Sequence, residues 1–313
     1  MRERLNISAG LYSKVTAVAL VALTAIVLTG AAVRLTGSGL GCPDWPKCYG
    51  RTVPPLEFHA VIEYGNRIIT GFVGLAVIAA AALAFFRRPY RRHLVYFGIL
   101  LPIGVMGQAI LGAFVVKHHL APELVMGHFI LSMLLLDAAF ALFWCSMYEP
   151  GERGYSGDRF GVWAVRGLIP LGQLTILAGT ITTGSGPHAG DHEGELVQRF
   201  TFEGAGTLEW VVQRHSAIAA LFGLAAIAVW LLLRRGGGER RALRPLGVVI
   251  GLLALQGAIG GVQWALELPA GIVWLHVAVA TLSWLAMLWT VAAAGRLEPR
   301  RAAAPSAAVP SRA

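Results

Sequence analysis

Long apolar runs alternate with short polar segments along the whole chain. Each run is about as long as the roughly 20 apolar residues that a helix needs to cross the hydrocarbon core of a bilayer. The runs are too long and too uniformly apolar for barrel strands, so helices are the structure that satisfies their backbone hydrogen bonds in lipid. The pattern predicts eight spanning helices, at approximately residues 15–33, 60–85, 94–116, 123–144, 164–182, 208–233, 245–264 and 270–294.

The composition supports this class and excludes others. Of the 313 residues, 56% are hydrophobic and 14% are charged, whereas a typical soluble domain has about 25% charged residues. Ordinary soluble proteins, disordered chains and disulfide-dense secreted scaffolds are therefore excluded. The net charge of +9 would suggest nucleic-acid binding in a soluble protein. Here the basic residues lie in short clusters between apolar runs, so no nucleic-acid partner is expected.

The distribution of Lys and Arg predicts the orientation of the chain. Basic residues are dense at the N-terminus, where Arg2 and Arg4 lie, and after the second, fourth, sixth and eighth predicted helices. Positively charged loops stay on the cytoplasmic side of a membrane. Both termini are therefore predicted to be cytoplasmic in a multi-pass protein of the cell membrane. The long loops at 34–59 and 184–207 then face outward.

The chain repeats a four-helix unit. A Gln precedes a His by 20 residues in each half, at Gln108 and His128 and again at Gln256 and His276. Four spans return the chain to the same side, so the two units would be related by an axis along the membrane normal. The predicted fold class is an all-α membrane protein whose eight transmembrane helices form two pseudo-symmetric four-helix bundles. The predicted segments are a cytoplasmic N-terminus (1–14), an N-terminal half (15–148), a cytoplasmic linker (149–163), a C-terminal half (164–295) and a disordered cytoplasmic tail (296–313).

Three histidines near the starts of even-numbered helices are candidate metal ligands. His128, His215 and His276 are predicted at similar depth in the outer leaflet, because those helices enter from outside. Two imidazoles on neighbouring helices of a bundle can hold a haem iron from both faces, and His215 and His276 belong to one half. A lone membrane His more often bonds a neighbouring helix, but a pair at repeat-related positions favours the haem interpretation. In the other half Asn66 replaces the second His, which leaves His128 alone unless His59, seven residues earlier, also binds.

Glu63 is the second candidate for chemistry. It shares one helical face with Asn66 and Arg67. A carboxylate inside the outer leaflet is costly unless it is paired. Two interpretations stay open: a structural ion pair with Arg67, and a proton acceptor or charge stabiliser beside a substrate. Asp137 is predicted deeper in the membrane, and the sequence gives it no role.

Two cysteines and three arginines complete the candidate residues. Cys42 and Cys48 lie in the first predicted outer loop. Because disulfides form readily outside the cytoplasm, the pair is either a structural disulfide or a redox-active pair. Arg34, Arg67 and Arg214 flank the predicted haem level. Each could bind a haem propionate, since Arg matches carboxylate geometry, or anchor its helix at the membrane interface.

These residues together resemble the haem A synthase family, in particular an actinobacterial-like variant with Asn at one usual His position. The likeness extends from about residue 15 to residue 294. The first of the matching stretches, with its paired cysteines, is the most specific. The stretches are RLTGSGLGCPDWPKC (34–48), EYGNR (63–67), GSGPH (184–188), QRH (213–215) and WLH (274–276).

The resemblance implies an oxidoreductase that converts the C8 methyl group of haem O to a formyl group, giving haem A for terminal oxidases. It implies a haem b between His215 and His276, and a haem O site in the N-terminal half with His128 as axial ligand and Glu63 as catalytic residue. The family's cysteine pair corresponds to residues 42 and 48. The resemblance also implies a partnership with the prenyltransferase that makes haem O, and the oxidation requires an electron acceptor.

Asn66 departs from the family pattern, in which many members have His. The substrate iron would then have one protein ligand, His128, or a second from another group such as His59 after a shift of the second helix. Two other functions stay open: a bis-His membrane cytochrome that only transfers electrons, and a transporter. Asn66 and Glu63 argue against the cytochrome, and the absence of a helix visibly broken at mid-membrane in the sequence argues against the transporter.

Overall fold

The computed structural model of the protein describes residues 6–191, 197–236 and 239–297. Within these ranges it confirms eight helical segments that are long and apolar enough to cross a membrane. Arg2 and Arg4, and the predicted tail beyond residue 297, lie outside the described residues. The helices are α1 (Ala9–Leu35), α2 (Phe58–Ala84), α3 (Arg92–Lys117), α4 (Pro122–Met147), α5 (Arg159–Arg166), α6 (Leu168–Ser185), α7 (Thr207–Gly236), α8 (Leu243–Ala265) and α9 (Ala270–Ala294).

Two helical segments begin earlier than the apolar runs indicate, because polar side chains cap them. Ser8 Oγ accepts a hydrogen bond from Leu11 N–H at 3.2 Å, so α1 begins at Ala9 instead of about residue 15. Asp158 Oδ1 accepts one from Gly161 N–H at 2.8 Å, which begins the short helix α5 five residues before the predicted fifth span. The helices α5 and α6 together form that span.

A two-residue strand pair joins the start of the chain to the turn after α2. Strand β1 (Ile7–Ser8) pairs in parallel with β2 (Arg87–Arg88). The Arg87 side chain is fully buried and forms an ion pair with Glu149, just after α4. These contacts attach the N-terminal segment to the residues that follow α2 and α4, at one end of the first helical bundle.

The first four helices form a closed bundle. Each helix packs on the next, and α1 also packs extensively on α4. In the second half α6, α7, α8 and α9 pack in sequence, and α9 additionally contacts α1 and α4. One continuous buried cluster, which includes Leu23, Leu136, Leu246 and Met287, extends through both halves. The relation of the two halves by pseudo-symmetry stays a prediction.

The outward faces of the helices agree with a multi-pass membrane protein. Large apolar side chains such as Val18, Phe72, Ile103 and Leu224 are more than half exposed. A soluble protein rarely exposes so much apolar surface, whereas lipid tails are as apolar as these side chains.

The loop after α1 and the loop after α6 are in direct contact. Gly39 N–H donates a hydrogen bond to Gly190 C=O at 2.8 Å.

Candidate functional site

His215 on α7 and His276 on α9 face each other within the second half. Their ring centroids are 6.4 Å apart, and the ring planes are inclined by 67°. The Nδ1 atoms of both rings are buried and have no hydrogen-bond partner within the described residues. Buried polar atoms in proteins normally have partners, so this pair calls for a group that the described part of the chain does not supply.

The spacing of the two rings fits an iron between them. A bond from imidazole nitrogen to a first-row metal is about 2.0–2.1 Å, and each ring centre lies about 1 Å behind its nitrogen. Two imidazoles on opposite faces of one iron would thus have centroids about 6 Å apart, as in a haem held by two axial histidines. The separation of 6.4 Å observed for His215 and His276 meets this requirement.

Glycines on neighbouring helices make room for these rings. A Cβ added at Gly179 on α6 would lie 3.1 Å from His215 Cε1. A Cβ added at Gly260 on α8 would lie 3.6 Å from Cε1 of His276. Because glycine lacks that Cβ, the backbones of α6 and α8 can approach the two imidazoles closely. The packing therefore restricts the His215 ring, whereas an added Cβ at Gly260 would only be in ordinary van der Waals contact with His276.

His128 on α4 is built into the first half in a comparable way. A Cβ added at Gly112 on α3 would lie 3.5 Å from His128 Cε1, and the buried Nδ1 atom of this ring also lacks a partner in the described chain. Gln108 on α3 donates hydrogen bonds from Nε2 to the His128 carbonyl at 3.0 Å and to Ser132 Oγ at 2.7 Å. The Gln that precedes this His by 20 residues therefore joins α3 to α4 at the level of the imidazole.

Asn66 on α2 bonds to α1. Thr29 Oγ1 donates a hydrogen bond to Asn66 Oδ1 at 2.7 Å. The oxygen of the Asn66 amide is thereby hydrogen-bonded to the neighbouring helix α1. His59 lies seven residues earlier, in the first turn of α2, with Nδ1 3.0 Å from Ser38 Oγ. Helix α2 is continuous from Phe58 to Ala84, so the unwinding that would bring His59 to the level of Asn66 is not present.

Glu63 forms the ion pair with Arg67 that the sequence allows, and it has a further partner. Its side chain is buried, and Oε1 pairs with Arg67 Nη2. Oε2 accepts a hydrogen bond from Cys42 N–H at 2.7 Å. Arg67 also donates to the carbonyls of Asp44, at 3.1 Å, and Lys47, at 2.9 Å. The pair is thus joined to the loop between α1 and α2, which lies over it.

That loop carries a disulfide bond between Cys42 and Cys48, and both cysteines are fully buried. Asp44 closes the loop by accepting hydrogen bonds from Tyr49 N–H, at 2.6 Å, and Gly50 N–H, at 2.8 Å. Gly41 lies against the start of α2, where an added Cβ would be 2.2 Å from the His59 carbonyl oxygen. The loop consequently packs on α2 so closely that a side chain at residue 41 has no room.

The other two candidate arginines, Arg34 and Arg214, also have partners within the protein. Arg34 Nη1 donates to the His188 carbonyl at 2.9 Å and so bonds the end of α1 to the loop after α6. Arg214 is exposed, lies over the Trp210 ring at 3.6 Å and donates to the Trp210 carbonyl. These contacts are typical of interfacial anchoring, and the assignment of Arg34, Arg67 and Arg214 to propionates stays a prediction.

The sequence gave no indication that Arg199 lies beside the helix ends of the second half. A cavity of about 510 Å³ lies between the ends of α6, α7 and α8, and Arg199 and Trp264 line it beside Leu208. His215 is seven residues further along α7 than Leu208, which corresponds to about 10 Å of helix. Arg199 belongs to an irregular loop with no motif around it, so only the folded structure brings it to this cavity.

The sequence also gave no partner to Asp137. Its Oδ1 accepts a hydrogen bond from Trp284 Nε1 at 2.6 Å, which joins α4 of the first half to α9 of the second. A second indole makes a similar connection, because Trp274 Nε1 on α9 donates to the Leu28 carbonyl on α1 at 2.9 Å. The repeat spacing places no indole beside Asp137, so the sequence carried no signal for this contact.

The comparison with protein families gives one match. The family described as cytochrome oxidase assembly protein, COX15-CtaA, matches residues 13–61 and 56–190. Together the two segments cover more than half of the 313 residues. They contain the disulfide loop, Glu63, Asn66 and His128.

Curated proteins similar to this chain are named heme A synthase. The protein from Bacillus licheniformis is 25% identical over 254 residues, which cover 77% of this chain and 82% of that protein. The protein from Halalkalibacterium halodurans is 25% identical over 240 residues, or 68% of this chain and 80% of its own length. A shorter match, to the protein from Alkalihalophilus pseudofirmus, is 32% identical over 154 residues and covers 49% of each chain.

Proposed function

Since the chain belongs to the COX15-CtaA family of cytochrome oxidase assembly proteins, we propose that it is a haem A synthase. It is then a multi-pass membrane oxidoreductase that acts on haem O and gives haem A. The C8 methyl group of haem O becomes a formyl group through hydroxylated intermediates, so electrons and protons leave the substrate. The observation that carries the proposal is the facing pair His215 and His276, with centroids 6.4 Å apart in a chain of this family.

The C-terminal half, residues 164–295, holds a haem b. His215 and His276 would hold its iron, which the spacing of the rings supports. The haem supplies one-electron transfer when bound. Arg199 lies at the cavity between the helix ends and is paired there with Asp191 at 3.4 Å. Its guanidinium would exchange this partner for a haem propionate, since guanidinium groups pair well with carboxylates. The close approach of α6 at Gly179 limits where the His215 imidazole can lie.

The N-terminal half, residues 15–148, receives haem O. His128 binds the substrate iron, and its position is supported by Gly112 beside the ring and by the two hydrogen bonds of Gln108. Arg34 and Arg67 lie at the same end of this half as the disulfide loop, where they would meet the propionates of the substrate. The oxidation of haem O releases electrons, and a haem b held by His215 and His276 would supply one-electron transfer toward an acceptor.

Glu63 is the catalytic residue of this half. Its carboxylate is buried and is held by Cys42 N–H and Arg67. The orientation of the carboxylate is therefore set before the reaction, and no rearrangement is needed during it. A carboxylate in this position accepts a proton from the substrate methyl group or stabilises positive charge that develops beside it. The disulfide of Cys42 and Cys48 keeps the N–H of residue 42 directed at Glu63.

The orientation follows from the basic loops. Both termini and the linker at 149–163 lie in the cytoplasm, and both haem sites lie toward the outer leaflet. The substrate then reaches the first half from within the membrane, and the prenyltransferase that makes haem O is the enzyme that supplies it.

The test is to express the chain in a host that makes haem O but no haem A, and to analyse the extracted haems by mass. We expect haem A or its hydroxylated precursor together with retained haem B. The same strain carrying the His128→Ala variant should yield haem B and unchanged haem O, with no haem A and no hydroxylated precursor. If the wild-type chain retains haem B and leaves plentiful haem O unchanged, the chain is instead a bis-His cytochrome that only transfers electrons.

A further inference from the structure

We propose that the iron of the substrate haem is bound by the protein on one face only, by His128, and that its other face, beside Asn66, is open to a small neutral ligand such as water or carbon monoxide. The inference rests on the proposed function, because it concerns the haem O of the first half. It assigns to this half a ligand site that the second half lacks.

The two halves place their candidate ligands at corresponding positions. Gln108, Gly112 and His128 are each followed, 148 residues later, by the same residue type in the second half. In both halves the glycine lies against Cε1 of the histidine, at 3.5 Å from His128 and 3.6 Å from His276 for an added Cβ. The His128 side of the first half is therefore built like the His276 side of the second half.

The opposite side differs in the residue that would meet the iron. His215 faces His276 with ring centroids 6.4 Å apart. The residue 149 positions before His215 is Asn66, on α2. The imidazole that completes the iron site in one half is thus replaced by a shorter amide side chain in the other.

Asn66 is a poor ligand, and one of the two lone pairs of its oxygen already accepts a hydrogen bond. Amide oxygens suit hard cations such as Mg²⁺ and Ca²⁺, whereas iron in haem is held by imidazole, thiolate, thioether or phenolate groups. Asn66 Oδ1 accepts the hydrogen bond from Thr29 Oγ1 at 2.7 Å. The remaining NH₂ group is a donor without an available lone pair. It can hydrogen-bond a small ligand on the iron but cannot replace it.

His59 does not supply the missing ligand. It lies seven residues before Asn66 on α2, about 10 Å further along the helix axis. Its Nδ1 atom is 3.0 Å from Ser38 Oγ, and the backbone around it packs against Gly41 of the disulfide loop. Bringing His59 to the level of Asn66 would require breaking both the loop contact and the continuous helix α2.

The inference predicts two spectroscopically distinct haems. A haem with two imidazole ligands is low-spin and closed to added ligands, whereas a haem with one imidazole is high-spin and binds carbon monoxide when reduced. The test uses full-length protein purified from a host that makes haem O, with carbon monoxide difference spectra and electron paramagnetic resonance. We expect about one carbon monoxide per haem O or haem A, and none on haem B.

The decisive variant is Asn66→His, which restores an imidazole at the open face. It should make the first-half haem low-spin and reduce its carbon monoxide binding by at least about tenfold, because a protein ligand then competes for the same position. The matched control is Asn66→Leu, which should remain high-spin and bind carbon monoxide. Retention of low-spin haem B in both variants shows that each has folded.

Two results would overturn the inference, and they differ. If wild-type protein carries haem O or haem A that is low-spin and does not bind carbon monoxide, the open face is wrong while the proposed function stands. If the protein carries haem B alone and forms no haem A, the proposed function fails and the inference fails with it.

Discussion

Glu63 has two hydrogen-bonding partners that come from different parts of the chain, and this makes its replacement informative. Glu63→Gln keeps an oxygen that can accept from Cys42 N–H but removes the charge and the basic site. We expect haem A formation to fall by about 10²–10⁴-fold, the range for loss of a general acid or base, while haem B content is unchanged. Haem extraction with mass analysis measures both quantities.

If Glu63→Gln lost haem B as well as activity, the residue would have a structural role and the catalytic assignment would be abandoned.

Gly179 tests the packing of the haem b ligands. A Cβ there would lie only 3.1 Å from His215 Cε1, so Gly179→Val should displace the imidazole and remove most of the haem B from the purified protein. Gly223→Val is the matched control, since an added Cβ at residue 223 on α7 meets no atom within 4 Å. The absorbance of the haem B extract per protein is the measurement. Equal haem B content in both variants would contradict the packing argument.

At the residue scale the ion pair of Glu63 and Arg67 was one of two interpretations that the sequence left open, because the two residues are one helical turn apart. The sequence likewise allowed the disulfide of Cys42 and Cys48 but did not decide between a structural and a redox-active pair. It did not predict Thr29 as the partner of Asn66, because that hydrogen bond joins two helices whose relative rotation is set by packing. The glycines beside the three histidines were missed for the same reason, since their function depends on contacts across helices.

Among the helices, α4 and α9 form one of the contacts that connect the two halves. Asp137 accepts a hydrogen bond from Trp284 Nε1 at 2.6 Å within the apolar part of both helices. Asp137→Leu should lower the free energy of unfolding by about 0.6–1.7 kcal/mol, the range measured for interhelical hydrogen bonds in membranes. Asp137→Asn keeps an acceptor oxygen and should lose less. Unfolding of the purified proteins in denaturing detergent gives the comparison.

A double variant identifies the contact as the cause. Asp137→Leu combined with Trp284→Phe should lose less stability than the sum of the two single losses, because both changes remove the same hydrogen bond while Trp284→Phe alone also removes buried packing. Fully additive losses from the two changes would show that Asp137 acts through some other partner.

At the element scale the apolar runs located all eight spanning segments, because the length of a bilayer-crossing helix is fixed by bilayer thickness. The ends of the segments were less accurate. Ser8 and Asp158 begin α1 and α5 within polar sequence, where hydropathy gives no indication of helix. Caps act through single hydrogen bonds, which an average over a window of residues does not detect.

In the whole molecule, the closed packing of the first four helices and the contacts of α9 with α1 and α4 bring the two candidate haem sites into one body. The internal repeat predicted two similar units, and the matching Gly and His contacts around residues 128 and 276 agree with it. The contacts between the halves could not be predicted, because the repeat describes each unit and not the surface that they share.

We propose that the two halves hold different haems, with haem O on His128 and haem b on His215 and His276. The most direct measurement is the haem content, by extraction and mass analysis, of the purified His128→Ala and His276→Ala variants. We expect the His128→Ala variant to retain haem B and to lose haem O and haem A. We expect the His276→Ala variant to lose haem B and to retain haem O. Loss of haem B from His128→Ala with haem B retained in His276→Ala would contradict the proposal.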